Sequence, residues 1–443
     1  MKARAPSGVL GIALASFVVA FAVRFYWVLH VQSPLDAEYS DMGGYVARAE
    51  GLLARVVPDD PRLLTTYPFG THTILALEFL ALGRHSGRAI AVAHALVGAI
   101  PAACVPFLMV RLVPRRWAAA LAGGLVALWY PQVCFTGFFL SEIWFSAAIA
   151  LHACFVARDF RRVPGQIATS LISSIAFVVR PQFLMTWLLE MAGRTLVLLR
   201  RRGVLGTVRS LVWLILPMAL TLAACSVRLH ALAGHWGLIA ESGINRVWAD
   251  TDICKLEAHW QTPNGSEYNY WFSPPSKQPC PQSGSISFTG FIADSKILDA
   301  IRAKRLRGVP WWRRLSRMAS NVDLLIDRNL PWPETNYREP PWRLALQEDF
   351  RALFKFVIFP LCLLGLVLGP RNRTTLILAA NLTTVVVAAA IFFGEARYHV
   401  PYDPFAIVLA ITGAHEVFRR ALGSVRRLRH TRRMELAAVT SHL

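Results

Sequence analysis

Runs of about 20 apolar residues, the length that crosses a bilayer as a helix, recur along most of this chain. They fall near 8–30, 88–112, 116–134, 138–157, 166–180, 181–199, 208–232, 352–369, 374–393 and 402–420. Composition agrees: 55% of the 443 residues are apolar, 17% are charged, and the mean hydropathy is +0.42. A soluble chain of this length carries more charge. The expected fold class is therefore all-α, a polytopic integral membrane protein with about ten transmembrane helices. Arg24 falls inside the first run and no small-residue cleavage site follows it, so that run reads as an anchor and not a signal peptide.

Charge sets the orientation. The formal net charge is +20. In a soluble protein that would point to nucleic acid; here it is first sorted by membrane side, and no nucleic-acid partner is expected. Lys2/Arg4, Arg115/Arg116, Arg158/Arg161/Arg162, Arg200/Arg201/Arg202, Arg371/Arg373 and the tail Arg419–Arg433 all fall on one side of a ten-crossing layout. The positive-inside rule makes that side cytoplasmic. The chain then divides into an N-terminal membrane module (1–233) with an outer loop at 31–87, an outer-face region (234–350), C-terminal crossings (351–420) and a basic cytoplasmic tail (421–443). The expected location is the cytoplasmic (inner) membrane, multi-pass. Within the outer loop, Tyr67–Gly83 is apolar but short and opens on Pro68, which suits a surface-lying or partly embedded helix. In the outer region, 236–261 and 292–345 are expected to be mostly helical.

Chemistry has few places to be. The cytoplasmic parts are short loops and a tail, and no P-loop or GxGxxG follows a strand pattern. No nucleotide cofactor is expected. An enzyme of this layout works at the outer face, where an activated group arrives attached to lipid. The outer loop holds Asp36, Glu38 and Asp41 just before an amphipathic run in which Met42, Tyr45, Val46, Ala49, Leu52 and Leu53 recur at helical spacing. Ser40 and Asp41 suit the N-cap of that helix, so Asp41 reads either as a cap or as a catalytic base. The three acids read either as a divalent-metal set or, more commonly, as a solvated acidic turn; no Cys/His spacing suggests a metal.

Other charges gather at outer helix ends: Arg24, Glu142 in FLSEIWF, Arg180, and Glu395 with Arg397 in GEARYHVPYDP. Ionisable groups near a span are costly and are usually functional or paired. Arginine suits phosphate through its planar fork. Glu142 pairs with Arg24 or Arg180, or shapes a substrate cavity. Arg302–Arg317 either grips anionic headgroups with Trp311 and Trp312 at the interface, or is a solvated amphipathic helix. Trp248, Trp260, Tyr268, Tyr270 and Trp271 either stack on sugars or pack a small domain. Asn264-Gly265-Ser266 has the spacing of a glycosylation sequon. His72, His94 and His152 read as core or interface residues. Five of the seven cysteines lie in apolar runs; Cys254 and Cys280 can close a disulfide worth about 3 kcal/mol.

The pattern Arg24…Asp41-x-x-x-Tyr45-x-x-x-Ala49 resembles the start of the GT-C superfamily of polytopic glycosyltransferases. The likeness is to bacterial relatives of protein O-mannosyltransferases and the aminoarabinose transferase (glycosyltransferase family 39-like). YPFGTHTILALEFLALGRHSGRAIAVAHALVGAI, LWYPQ…FLSE, VVRPQFLM and RYHVPYDP continue it in the same order over about 20–200 and 350–420. The resemblance implies transfer of a sugar from a polyprenyl-phosphate lipid to a glycan, lipid or protein acceptor at the outer face. In it Asp41 aligns with the candidate base, and attack inverts the anomeric centre. Arg397, Arg180, Arg24 and Tyr398 are the candidate donor-phosphate ligands. Glu142 is the cavity acid, and Tyr45, Trp248 and Trp260 are candidate sugar or acceptor contacts. Two departures keep the substrate open. Asp41 is followed by Met42 where the mannosyltransferases have adjacent acids, and His72 stands where the aminoarabinose transferases have basic residues. The rival functions are a transporter or flippase, which favours midplane polar groups and repeats, and a glycan ligase or polymerase, which favours a wide groove.

Overall fold

The computed structural model describes residues 8–158, 163–240, 242–262, 264–274, 277, 279–328 and 340–440, with side chains described as far as 424. Lys2, Arg4, Arg161, Arg162 and the side chains of the distal tail therefore lie outside the described residues.

The chain is mostly helical. Helix α1 (Val9–His30) packs on α4 (Gly87–Met109) and α5 (Arg116–Leu128). Ala20, Ala99, Ala102, Ala118 and Ala122 are fully buried there. Lipid offers no hydrophobic drive between helices, so association rests on close backbone approach, which small side chains permit. After α5 the chain bends by 48° into α6 (Tyr130–Cys134). Helix α7 (Ser141–Arg158) follows, then α8 (Val163–Val179) and α9 (Phe183–Ala233). Helix α9 is a 51-residue stretch interrupted at Gly203, where φ 68° and ψ −174° are not helical. The runs 181–199 and 208–232 are its two parts.

Five stretches are long and apolar enough to cross a membrane: Val9–Asp36, Gly87–Met109, Phe183–Ala233, Pro341–Leu368 and Arg373–Phe392. The bent α5–α6 pair makes a sixth if taken as one span. The protein is thus a multi-pass membrane protein, but among the described residues ten crossings do not all meet that standard. Helix α8 has 17 residues, and α7 carries Glu142, His152 and Arg158 in 18. Tyr67–Gly83 contains α3 (Phe69–Leu82), at 14 residues too short to span.

The expectation of helix across 236–261 is wrong for its second half. After α10 (Ser242–Asp250), strands β1 (Lys255–Gln261), β2 (Glu267–Phe272) and β3 (Ser285–Thr289) form a sheet in the order β2-β1-β3. β1 runs antiparallel to β2, with Trp260 opposite Tyr268, and parallel to β3, with Ala258 opposite Phe288. The reason is a period of two: Leu256, Ala258 and Trp260 point inward between Lys255, Glu257 and His259. The fold is therefore not purely α. Cys254 and Cys280 are joined as a disulfide at the edge of this sheet. Helices α11 (Ser295–Leu306), α12 (Trp311–Asp323) and α13 (Pro341–Leu353) complete the region, and α14 (Phe359–Leu368), α15 (Arg373–Phe392) and α16 (Asp403–Thr440) close the chain.

The small sheet is clamped to the first loop. Trp260 Nε1 donates to Asp60 Oδ2 at 2.8 Å, Ser266 Oγ to Asp59 Oδ2 at 2.7 Å, and Arg62 lies over the Phe291 ring. Arg62 also grips Asp60 through its own side chain. Burial raises the Asp60 carboxyl's pKa, but the Arg62 and Trp260 hydrogen bonds and the Arg62 charge outweigh it and hold the carboxyl below its usual range.

Candidate functional site

Asp41 lies in the first turn of α2 (Ser40–Ala54), but it is not the cap. Tyr39 occupies the cap position in an extended conformation and no side chain caps the helix. Ser40 takes a positive φ of 53°. The Asp41 carboxylate is thus turned to other partners. Tyr67 Oη donates to Asp41 Oδ1 at 3.0 Å, and Arg397 Nη1 donates to Oδ2 at 2.9 Å.

Each partner is itself held. The Tyr67 ring leans on Tyr45 (centroids 5.1 Å apart) and lies under the Arg48 guanidinium. Arg48 is fixed by the carbonyls of Gly44 and Leu63 and by Thr66 Oγ1. A Cβ on Gly44 would meet the Tyr67 ring at 3.3 Å, so the absence of a side chain there lets the ring sit close to α2. Pro68 then opens α3 directly after Tyr67.

Arg397 stands on a short turn between α15 and α16. Its Nε lies 3.1 Å from Glu395 Oε2. Burial disfavours its charge, but Tyr398, Asp41, Glu395 and Glu142 outweigh that and raise its pKa well above the usual value. The Tyr398 ring lies between two guanidinium groups, with Arg397 Cζ at 5.2 Å and Arg180 Cζ at 5.6 Å from its centroid. Arg180, directly after α8, pairs with Glu142 and donates to Ser141 Oγ at 2.9 Å, both at the start of α7. The result is a continuous set: Tyr67–Asp41–Arg397–Tyr398–Arg180–Glu142. The side chains of Asp41 and Arg397 are 21% and 16% exposed, whereas Glu142 at 2% is closed in.

Other candidates lie elsewhere. Arg24 is fully buried between α1 and α5 and gives its protons to the carbonyls of Ala20, Val126 and Ala127. It ties helices together and lies apart from the Asp41–Arg397 set; Glu142 takes Arg180 and not Arg24. Trp260 stacks on Tyr268 (5.2 Å, 12°) and meets Phe291 edge-on. Trp248 is packed between Phe272 and Phe393. These rings are already covered by protein, which corrects their reading as sugar platforms. Tyr45 supports Tyr67. Glu38 pairs with Arg84, which also holds Glu50. Among the described residues no three of His, Cys, Asp and Glu gather as metal ligands. His94 faces Glu78 at 3.3 Å and His152 faces Glu190 at 3.0 Å, inside the helix bundle.

Tyr67 joins the Asp41–Arg397 set although the charge pattern does not point to it; its sequence signal is a hydroxyl-bearing ring directly before the proline that opens α3. Glu395 stands out in the sequence as a charge, and the structure pairs it with Arg397. Behind Tyr67 lies a small recess lined by Tyr67, Phe69, Phe177, Pro181 and Leu238 with Arg228 among them.

No family model matches the sequence, and no curated protein matches it. Solved structures do. Archaeal oligosaccharyltransferase AglB from Archaeoglobus fulgidus, in complex with an inhibitory peptide and a dolichol-phosphate, is 11% identical over 95% of this chain and 52% of its own, with a TM-score of 0.46. The Archaeoglobus fulgidus oligosaccharyltransferase tethered to an acceptor peptide is 11% identical over 92% of this chain and 50% of its own, with a TM-score of 0.49. ArnT from Cupriavidus metallidurans in the apo state is 12% identical over 90% of this chain and 76% of its own, with a TM-score of 0.35. These structural neighbours are GT-C membrane glycosyltransferases. The chain spans about half the length of the oligosaccharyltransferases it matches.

Proposed function

We propose that this protein is a membrane glycosyltransferase that moves a sugar from a polyprenyl-phosphate lipid to an acceptor hydroxyl or amide at the outer face of the cytoplasmic membrane. The observation that carries the reading is the pairing of Asp41 with Arg397, which brings a carboxylate and a guanidinium together from opposite ends of the chain. In the resting site Arg397 holds the base. An incoming donor phosphate competes for the guanidinium and frees one carboxylate oxygen, while Tyr67 keeps the other in place.

Asp41 then takes the acceptor proton as the acceptor atom attacks the anomeric carbon. The new bond forms on the face opposite the phosphate, the carbon–oxygen bond to phosphate breaks, and the electron pair leaves on polyprenyl phosphate. Inversion follows. Arg397 stabilises the leaving phosphate, with Arg180 across the Tyr398 ring as the second cation. Glu142 fixes Arg180 and lies too deep to reach an acceptor.

The test is reconstitution of the full chain in proteoliposomes with a panel of radiolabelled polyprenyl-phosphate sugars and a membrane extract as acceptor. Wild type is expected to release unglycosylated carrier and label a product. Arg397→Lys, which loses the fork, is expected to raise KM for the donor. Equal donor dependence in wild type and Arg397→Ala would refute the phosphate assignment.

A further inference from the structure

We infer that α12 is an interfacial anchor that seats on anionic lipid headgroups at the membrane face where the Asp41 cluster lies. The inference is independent of the reaction proposed above.

Helix α12 has 13 residues and is about 20 Å long, too short to cross a bilayer. At about 100° per residue, Trp311, Trp312, Leu315, Met318, Ala319 and Val322 fall on one arc. The N-terminal part of that arc is uncovered, with Trp311 72%, Trp312 54% and Leu315 52% exposed, while Met318 and Val322 are half-buried. One flank of the helix, at Arg317 and Asn321, is taken by protein. Arg317 donates to the Asp250 carbonyl and Asn321 Nδ2 to the Ala249 carbonyl, so α10 lies against it.

The helix is also fixed at membrane level. It packs on α15, a span, and a Cβ on Gly394 at the end of α15 would fall 1.8 Å from the Asn321 carbonyl oxygen. The next turn, Leu324–Arg328, touches the Ala396–Tyr398 turn that carries Arg397. An apolar stripe turned away from the protein at the end of a span has acyl chains as its occupant.

Charge names the lipid. Lys304 in the last turn of α11, Arg307 just after it, and Arg313 and Arg314 on α12 are exposed and have no carboxylate partner among the described residues. Arg313 lies over the Trp312 ring, which places a cation beside the ring that enters the interface. A surface with this excess of cations is complementary to phosphate headgroups bearing net negative charge.

The test reads accessibility at the helix itself. Trp312→Cys and Ser320→Cys, on the exposed apolar and polar sides, are made in the full chain. Each is reconstituted in nanodiscs of phosphatidylcholine alone or with about 30% phosphatidylglycerol, and labelled with a membrane-impermeant maleimide. The described free cysteines are buried or half-buried and Cys254 and Cys280 are disulfide-bonded, so wild type gives the background.

Position 312 is expected to label about tenfold more slowly than 320 in the anionic discs, and the protection to weaken in the zwitterionic ones. Adding Arg313→Gln and Arg314→Gln is expected to abolish the difference between lipids. Equal labelling of 312 and 320, or protection indifferent to lipid charge, overturns the inference. So does protection that persists in detergent and rises with protein concentration, because a second copy then covers the stripe.

Discussion

Removing the Asp41 carboxylate tests the site most directly. Asp41→Asn keeps the shape of the side chain, and it does not orphan Arg397, whose Nε remains 3.1 Å from Glu395. The fold is therefore expected to survive, as read by thermal unfolding in detergent. Catalysis is not: loss of a general base costs about 10²- to 10⁴-fold in kcat. Tyr67→Phe removes one hydrogen bond to a charged oxygen, worth at most about 1.5–3 kcal/mol and less at a partly exposed site, so about tenfold is expected. In the proposed reaction Tyr67 holds Asp41 and does not touch the reacting atoms. The two losses therefore do not add, and Tyr67→Phe in the Asp41→Asn background is expected to cost less than about twofold. Transfer of labelled sugar in proteoliposomes reads all four proteins. Wild-type rates for Asp41→Asn would remove the base. A full tenfold effect of Tyr67→Phe in both backgrounds would show that Tyr67 works without Asp41.

Arg180→Ala removes the cation paired with buried Glu142, leaving it the Ser141 hydrogen bond and the charge of Arg397, and a stability loss of about 3–5 kcal/mol is expected. Arg180→Leu with Glu142→Leu is expected to recover part of that in the same thermal assay. Cys254→Ser with Cys280→Ser opens a 26-residue loop and removes about 3.5 kcal/mol by chain entropy, read as earlier proteolysis of the sheet region. Asp60→Asn weakens the clamp to Trp260 and Arg62 by about 1–2 kcal/mol at neutral pH. The sign follows from the depressed carboxyl: its stabilisation is present above the unfolded value of about 3.9 and is lost as pH falls through the lower folded value. The gap between Asp60→Asn and wild type is therefore expected to close on acidification, and one that widens would be evidence against an ionised Asp60.

The helices were legible because lipid imposes a simple rule: every backbone group is bonded internally, and apolar length reports the span. The rule fails where polar residues enter a helix. Helix α7 carries Glu142 and His152 because each meets a partner from another helix, Arg180 and Glu190, and a run of residues in one segment says nothing of those partners. Strand β1 is hard to read from the sequence because seven residues of alternating burial are too short to stand out against helical neighbouring segments. Arg24 was misplaced for a different reason. A buried arginine is satisfied as well by three backbone carbonyls as by a phosphate, and only the position of α5 decides between them.

The grouping of Asp41 with Arg397 could be suspected only from the order of charged helix ends, since 356 residues separate them. What the fold adds is the state of that pair. A carboxylate bonded by a tyrosine and an arginine is oriented but not available, and a guanidinium shared with two carboxylates is charged but not vacant. Each group blocks the other until an anion of higher charge arrives. A phosphate can displace Asp41 from Arg397, whereas a neutral acceptor cannot. In the reaction proposed here these two contacts make Asp41 depend on donor binding, so acceptor bound alone is expected to find Asp41 occupied.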